Sequence, residues 1–131
     1  MEEKIILIDT SILIDYFRKT DKNNSVLISL FEKGYNLSIS AITHYEIYSG
    51  TTINQLPFWK GLLQKTKVLA IDQIVAQTAV DINNELKRKR KQIEIADLFI
   101  AATAVANNLL FATLNRKHFD RIGSLNLIDE V

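Results

Sequence analysis

Three acidic residues of this 131-residue chain stand where they could do chemistry together: Asp9, Glu46 and Asp97. Asp9 ends the isoleucine-rich run Lys4–Asp9 (KIILID), whose lack of polar alternation predicts a strand buried on both faces. In an open α/β sheet, ligands bind outside the carboxyl ends of the strands, so Asp9 would face that crevice. Asp9 could also merely cap the next helix, as Thr10 or Ser11 equally could, and the sequence does not separate these roles.

Glu46 has a structural explanation that competes with a chemical one. It closes the segment Thr43-His44-Tyr45-Glu46, which matches the Thr-x-x-Glu capping box at a helix start. A carboxylate in the first turn of a helix that follows a strand would also face the same crevice as Asp9. The sequence leaves both roles open.

Asp97 lies near the start of the apolar helical pattern IEIADLFIAATAVA, residues 93–106. A helix N-terminus favours a negative charge, which gives Asp97 a possible stabilising role. Burying a carboxylate beside such an apolar helix is costly unless it is paired or binds a metal. The nearest cations in sequence belong to a basic run several residues earlier, so we favour metal ligation.

Carboxylates that converge on one crevice repel each other, which would raise the pKa of at least one of them. A divalent cation removes this repulsion. The chain has no cysteine and two histidines, so its oxygen donors favour Mg²⁺ or Mn²⁺ over zinc. Such an ion can activate water and stabilise the charge that develops on a phosphodiester.

The segments that must position these acids alternate between strand and helix patterns. This alternation predicts an α/β fold with a mainly parallel sheet, in one domain over residues 1–131. The expected strands are Lys4–Asp9, Leu37–Ala41, Lys67–Ile71 and Leu109–Thr113, with Leu125–Ile128 as a short edge strand. One helix is expected directly after Asp9 and another near Pro57. The other expected helices are Asn24–Lys33, Thr43–Ser49, Gln73–Arg90 and Ile95–Asn107. The pattern over Gln73–Arg90 is apolar at Ile74, Val75, Ala79, Ile82 and Leu86.

Composition narrows the class of protein. The hydrophobic fraction of 47% and the charged fraction of 24% are those of an ordinary globular domain, and no run is long enough to cross a membrane. The acidic N-terminus does not resemble an export signal, and the lack of cysteine excludes disulfides and thiolate catalysis. We therefore expect a cytoplasmic protein with no membrane partner.

Four short motifs in the expected order give the sequence a family resemblance. Over nearly its whole length it resembles the PIN-domain nucleases, and in particular the VapC toxins of bacterial toxin–antitoxin systems. The motifs are Ile8-Asp9-Thr10-Ser11, then Ser40-Ala41-Ile42-Thr43 with Glu46, then Ala96-Asp97-Leu98-Phe99-Ile100-Ala101-Ala102-Thr103-Ala104, and finally Thr113-Leu114-Asn115-Arg116-Lys117-His118-Phe119.

The resemblance implies a three-layer α/β/α sandwich and an endoribonuclease that depends on Mg²⁺ or Mn²⁺. It assigns the metal and the catalysis to Asp9, Glu46 and Asp97. Asn115 matches a fourth catalytic position that is often Asp, which leaves one formal negative charge fewer and would weaken a second metal site. Asp120 is close in sequence and is a candidate for a substitute carboxylate. The resemblance also gives supporting roles to Thr10 and Ser11, which would orient Asp9 or a metal-bound water, and to Thr113, which would support Asn115.

The resemblance further implies an RNA substrate, a VapB-type antitoxin that covers the acidic crevice, and a homodimer. The net charge is only +1, so RNA binding cannot rest on a general basic surplus. Five consecutive cations end six residues before Asp97 and are either a solvated helix end or a contact for RNA phosphates. They are Lys87, Arg88, Lys89, Arg90 and Lys91.

The two histidines and two other classes of protein offer alternative interpretations. His118 and His44 are expected to position neighbours, because metal-activated water needs no imidazole base. A receiver-like phosphoacceptor domain would need paired acids after the first strand and a late lysine, whereas Asp9 is single. A non-catalytic PIN-fold module that binds RNA or protein is the other alternative, and the presence of all three acids argues against it.

Overall fold

Parallel strands form the central sheet in a computed structural model of the chain, which describes residues 4–129. Five strands lie in the order β3-β2-β1-β4-β5, and every neighbouring pair is parallel. The expected strands are all present with somewhat shifted ends, so the prediction of a mainly parallel sheet is confirmed. They are β1 Lys4–Ile8, β2 Tyr35–Ser40, β3 Lys67–Leu69, β4 Leu110–Ala112 and β5 Asn126–Leu127.

Helices connect the strands, as parallel pairing requires. Pro57 lies at the start of α4, where its missing N–H costs no helical hydrogen bond. A short 3₁₀ turn, Lys22–Asn24, precedes α2, which is therefore shorter than expected. The helices are α1 Thr10–Arg18, α2 Val26–Glu32, α3 Ala41–Gly50, α4 Leu56–Leu63, α5 Gln73–Lys89, α6 Ile95–Ala106 and α7 Arg116–Phe119.

The sheet is covered on both faces, which confirms the three-layer α/β/α expectation. In β1, Ile6 and Ile8 face a core shared with α1, α2, α3 and α4, whereas Leu7 faces the core formed with α5 and α6. All three side chains are essentially inaccessible to solvent. The unbroken apolar run of β1 is thus explained by burial on both sides.

The structure defines the caps of two helices near the site. Asp9 caps α1 by accepting a hydrogen bond from the Ile12 N–H, whereas Thr10 and Ser11 lie inside the helix. Helix α3 begins at Ala41, and its cap is Ser40, which accepts from the Ile42 N–H at 3.1 Å. The capping-box interpretation is therefore wrong, because the helix starts two residues before Thr43.

Helix α5 packs against α6 through one apolar face. Val75, Ala79, Ile82 and Leu86 are buried at helical spacing. Ile74, another apolar position of this helix, lies outside the face and is 66% exposed. Within residues 4–129, no helix is both long and apolar enough to cross a membrane.

Candidate active site

The acids expected to act together line one cavity at the carboxyl edge of the sheet. After β1 the chain proceeds outward to β2 and β3, and later returns to place β4 on the other side of β1. Such a switch in strand order opens a crevice between the two neighbouring strand ends. Asp9, Glu46, Asp97 and Asn115 all border this acidic cavity, whose volume is about 660 Å³.

Asp9 is the most buried acid of the cavity, with 3% of its surface exposed. The Ser11 hydroxyl donates to its Oδ1 and the Thr113 hydroxyl donates to its Oδ2. The Ile12 N–H also points to Oδ1, at 3.4 Å. Asp9 is therefore both the cap of α1 and a wall of the cavity, so the two roles that the sequence left open coexist.

Glu46 is held by a residue for which a different contact was expected. The Thr10 hydroxyl donates to Oε1 of Glu46 at 2.6 Å and lies 3.1 Å from the hydroxyl of the fully buried Thr43. Thr10 therefore orients Glu46, whereas the resemblance had linked it to Asp9 or a metal-bound water. Glu46 lies well inside α3, and this contact fixes its carboxylate toward the cavity.

Asn115 follows β4 and is tied to the same network. Its backbone N–H donates to the Thr113 hydroxyl at 2.9 Å, which agrees with the expected support from Thr113. The neighbouring Leu114 N–H donates to the Ser11 hydroxyl at 3.1 Å. Asp120 is exposed at the far end of α7 and does not border the acidic cavity, so it is no substitute carboxylate in this arrangement.

Asp97 lies in the first turn of α6, close to a histidine rather than to the basic run. Nδ1 of His118 is 3.7 Å from its Oδ2. The sequence gave no signal for this pairing, because it depends on how the short helix α7 folds back toward α6. His44, the other histidine, is exposed and does not border the cavity. Its ring packs against Tyr48 with centroids 4.6 Å apart and the planes tilted by 51°.

Burial and mutual repulsion both act on the acids. Burial raises the pKa of Asp9, and the negative charge of Asp97 raises it further. The hydrogen bonds from Ser11 and Thr113 lower this pKa in part. Burial also raises the pKa of Asp97, the charge of Glu46 adds to it, and His118 acts in the opposite direction. The expected repulsion between carboxylates is therefore present, and a bound cation would relieve it.

The donor chemistry of the cavity fits a hard divalent cation. Carboxylate and amide oxygens from Asp9, Glu46, Asp97 and Asn115 border one space, and such oxygens are the ligands that Mg²⁺ and Mn²⁺ prefer. Across residues 4–129, no three His, Asp or Glu side chains already form a closed ligand set.

Cations reach the cavity from a helix that the sequence analysis had not singled out. Arg18 and Lys19, in and just after the last turn of α1, border the acidic cavity. One face of α1 carries Ser11 and, at four, seven and eight residues further on, Asp15, Arg18 and Lys19. This spacing is visible in the sequence. The residues of the basic run, Lys87, Arg88, Lys89, Arg90 and Lys91, are exposed at the end of α5 and do not border the cavity.

Comparison with known proteins decides the family. The PIN domain model matches residues 6–125, which is most of the chain. The chain belongs to the PIN domain family. Ribonuclease VapC1 of Methanocaldococcus jannaschii is 35% identical over 130 residues, which cover 96% of this chain and 87% of that protein. This identity places the chain with the VapC proteins among PIN domains.

Solved structures agree with this PIN domain assignment. VapBC-1 from nontypeable Haemophilus influenzae superposes with a TM-score of 0.79 at 26% identity, over 95% of this chain and 97% of the other. A toxin-antitoxin complex from Klebsiella pneumoniae gives a TM-score of 0.75 at 27% identity, over 94% and 95% of the two chains. The α/β/α sandwich is therefore the PIN fold.

Proposed function

We propose that this PIN domain is a metal-dependent endoribonuclease and the toxin of a toxin–antitoxin pair. The observation that carries the proposal is the acidic cavity, where Asp9, Glu46 and Asp97 from three separate elements meet beside Asn115. The name of the VapC1 ribonuclease, which is 35% identical to the chain over 130 residues, supports RNA as the substrate.

The proposed ligands are Asp9, Glu46 and Asp97, with Mg²⁺ or Mn²⁺ as the ion. When bound, the ion would supply an activated water and neutralise the charge that develops on the phosphodiester. Ser11 and Thr113 hold both oxygens of Asp9 in place, and Thr10 holds Glu46.

Two further residues complete the proposed site. Asn115 offers a neutral amide at the cavity edge, where it can bind a phosphate oxygen or a water without adding negative charge. His118 limits the rise in the pKa of Asp97, so this acid is more readily ionised when a cation arrives.

The proposal includes partners and location. The related complex VapBC-1 from nontypeable Haemophilus influenzae supports a VapB-type antitoxin as the partner. We propose that this antitoxin covers the acidic cavity. We further propose a homodimer that acts in the cytoplasm, where its RNA substrate is found, and one domain over residues 1–131. The basic run at Lys87–Lys91 is proposed to contact RNA phosphates outside the cavity.

The decisive experiment is RNA cleavage with Mg²⁺ or Mn²⁺ by the wild type and by Asp97→Asn. We expect cleavage by the wild type and a loss of at least about a hundredfold in the variant, as for other site groups that act in the transition state. Asp81→Asn, an exposed acid on α5 that only accepts a hydrogen bond from Gln77, is the matched control and should cleave normally. RNA binding without cleavage by the wild type would instead make the chain a non-catalytic module.

A further inference from the structure

A smaller cavity opens directly beside the acidic one. Its volume is about 220 Å³, and it lies between α1, α3 and the start of α4. It shares four bordering residues with the acidic cavity, namely Thr10, Ile14, Arg18 and Glu46. A ligand strand that occupies the acidic cavity therefore has a side pocket within reach, and Glu46 forms part of the wall between them.

The walls of the smaller cavity are suited to a flat ring. Phe17 is half-buried and stacks on the buried Trp59, with ring centroids 5.1 Å apart and an interplanar angle of 27°. Phe58 packs edge-on against Phe17 at 5.2 Å, so the ring has little freedom to move. Aromatic faces of this kind stack unpaired bases in proteins that bind single-stranded RNA. A cavity of roughly 150 Å³ already accommodates benzene, so one base fits here.

One polar group in this cavity is positioned to bind a base edge. Oε1 of Gln55 accepts a hydrogen bond from the Thr52 N–H at 3.2 Å, and the Gln55 N–H is bonded in turn to the Thr52 hydroxyl at 3.3 Å. The orientation of the Gln55 amide is thereby set, with its NH₂ group left to donate. Carbonyl and ring-nitrogen acceptors on a base edge are the matching partners.

Arg18 lies on the border between the two cavities and lines both of them. It is exposed, and no acidic side chain within residues 4–129 forms a salt bridge with it. A guanidinium in this position can take two oxygens of one phosphate. A phosphate bound to Arg18 would place its nucleoside against the aromatic wall of the smaller cavity. The rest of the nucleic-acid backbone would then extend toward the acids of the acidic cavity.

We propose that the smaller cavity is a nucleobase subsite, which takes the base next to the cleaved bond while Arg18 holds the phosphate of that nucleotide. This inference rests on the proposed ribonuclease function and adds a base contact to it. The subsite recognises a single-stranded nucleotide, because a base inside a duplex has no free face to offer to Phe17.

Gly50 offers a way to fill the subsite without disturbing the fold. It ends α3, borders the smaller cavity, and a Cβ built on it meets no atom within 4 Å. Its backbone does not adopt a positive φ, so a larger residue causes no strain. Gly61 in α4 is the matched control, since it is exposed, has the same free space, and borders neither cavity.

The test compares two labelled probes of equal length, a mixed-sequence single-stranded RNA and a ribose-phosphate strand that carries no bases. Binding is measured with Mg²⁺ in the Asp97→Asn background, which prevents cleavage. We expect the Asp97→Asn protein, which is the parent of the further variants, to bind RNA roughly tenfold more tightly than the base-free strand. Gly50→Leu should abolish most of this preference, whereas Gly61→Leu should retain it.

Two further variants separate the contacts. Gln55→Glu keeps the acceptor for Thr52 and removes the NH₂ donor, so it should reduce the preference for bases. Arg18→Ala should weaken both probes equally and lower the slope of log affinity against log salt by about one.

The subsite would be overturned if the Asp97→Asn protein bound both probes equally, or if Gly50→Leu left the preference for RNA unchanged. Either result would fit an apolar groove for a peptide instead. Because wild-type cleavage is measured separately, this failure is distinct from a failure of the proposed function.

Discussion

The Thr113 hydroxyl donates a hydrogen bond to Oδ2 of Asp9, which joins the ends of β1 and β4 across 104 residues of sequence. The same hydroxyl accepts the Asn115 N–H. One oxygen atom therefore positions an acid on one side of the cavity and an amide on the other.

Thr113→Val should reduce kcat/KM by roughly 10- to 100-fold, as loss of a residue that orients a metal ligand typically does. The valine keeps the shape of the side chain and removes the hydroxyl, so Asp9 loses one donor and the Asn115 N–H loses its acceptor. Thr113→Ser restores the hydroxyl and should recover most of the activity. Steady-state RNA cleavage measures both variants, and wild-type activity in Thr113→Val would show that this contact is dispensable.

Thr10 and Glu46 should behave as one unit. Glu46→Gln removes the charge and should reduce cleavage strongly, while Thr10→Val only frees the carboxylate and should cost roughly tenfold. Because Thr10 acts through Glu46, the double variant should be no worse than Glu46→Gln alone. A double-mutant cycle on cleavage rates measures this coupling, and strictly additive losses would assign Thr10 a separate role.

Asp97→Asn should make the metal-free protein more stable at neutral pH while it removes activity. The folded state raises the pKa of Asp97, mainly through burial, so the ionised carboxyl opposes folding at any pH above the raised value. The expected gain in Tm is roughly 2–5 °C at pH 7. This gain should shrink as the pH falls through the raised pKa toward the unfolded value of about 3.9, where both states bind the proton.

Thermal unfolding in EDTA across this pH range provides the measurement. Asp81→Asn, on the exposed face of α5, is the control and should show little change in Tm at any of these pH values. An Asp97→Asn protein less stable than the wild type at pH 7 would contradict the proposed cost of burying this charge.

Metal should stabilise the wild type more than any variant that lacks one of the acids. EDTA should abolish cleavage, and Mg²⁺ or Mn²⁺ should restore it. A cation present at a hundredfold excess over its Kd adds about 2.7 kcal/mol to the free energy of unfolding. Denaturant titrations with and without the cation measure this gain, and an equal gain in Asp97→Asn would place the ion elsewhere.

Neutralising the basic run should weaken RNA binding and flatten its salt dependence. Each lost phosphate contact lowers the slope of log affinity against log salt by about one. Lys87 and Lys91 are suitable positions, because Lys89 is already paired with Glu85 at 2.9 Å. An unchanged slope in Lys87→Gln/Lys91→Gln would show that these cations are only a solvated helix end.

Much of the fold followed from the sequence because its signals are local. The apolar run before Asp9 and the alternation of strands with helices sufficed to predict the parallel sheet, whereas its two covering layers were implied by the family resemblance. Helix starts were harder to predict, because Ser40 and Thr43 are both good caps and the local sequence does not determine which of them α3 uses. Ile74 is apolar, yet the orientation of α5 leaves it in solvent.

The acids of the site were predictable, but their partners were not. Asp9 and Glu46 each follow a strand, so their meeting at one edge followed from parallel topology. The bonds from Thr10 to Glu46 and from His118 toward Asp97 join distant parts of the chain, which no local pattern encodes. Arg18 carries a weaker sequence signal than the basic run, because it is a single cation on the helix that faces the cavity.

The position of β4 in the sheet also affects when the site comes into being during synthesis. Strand β4 lies beside β1, yet it starts at Leu110, late in the chain. A nascent chain that has not reached this strand lacks the Thr113 hydroxyl on Asp9 and the amide of Asn115. Fragments that end before β4 would thus carry three acids but no assembled site.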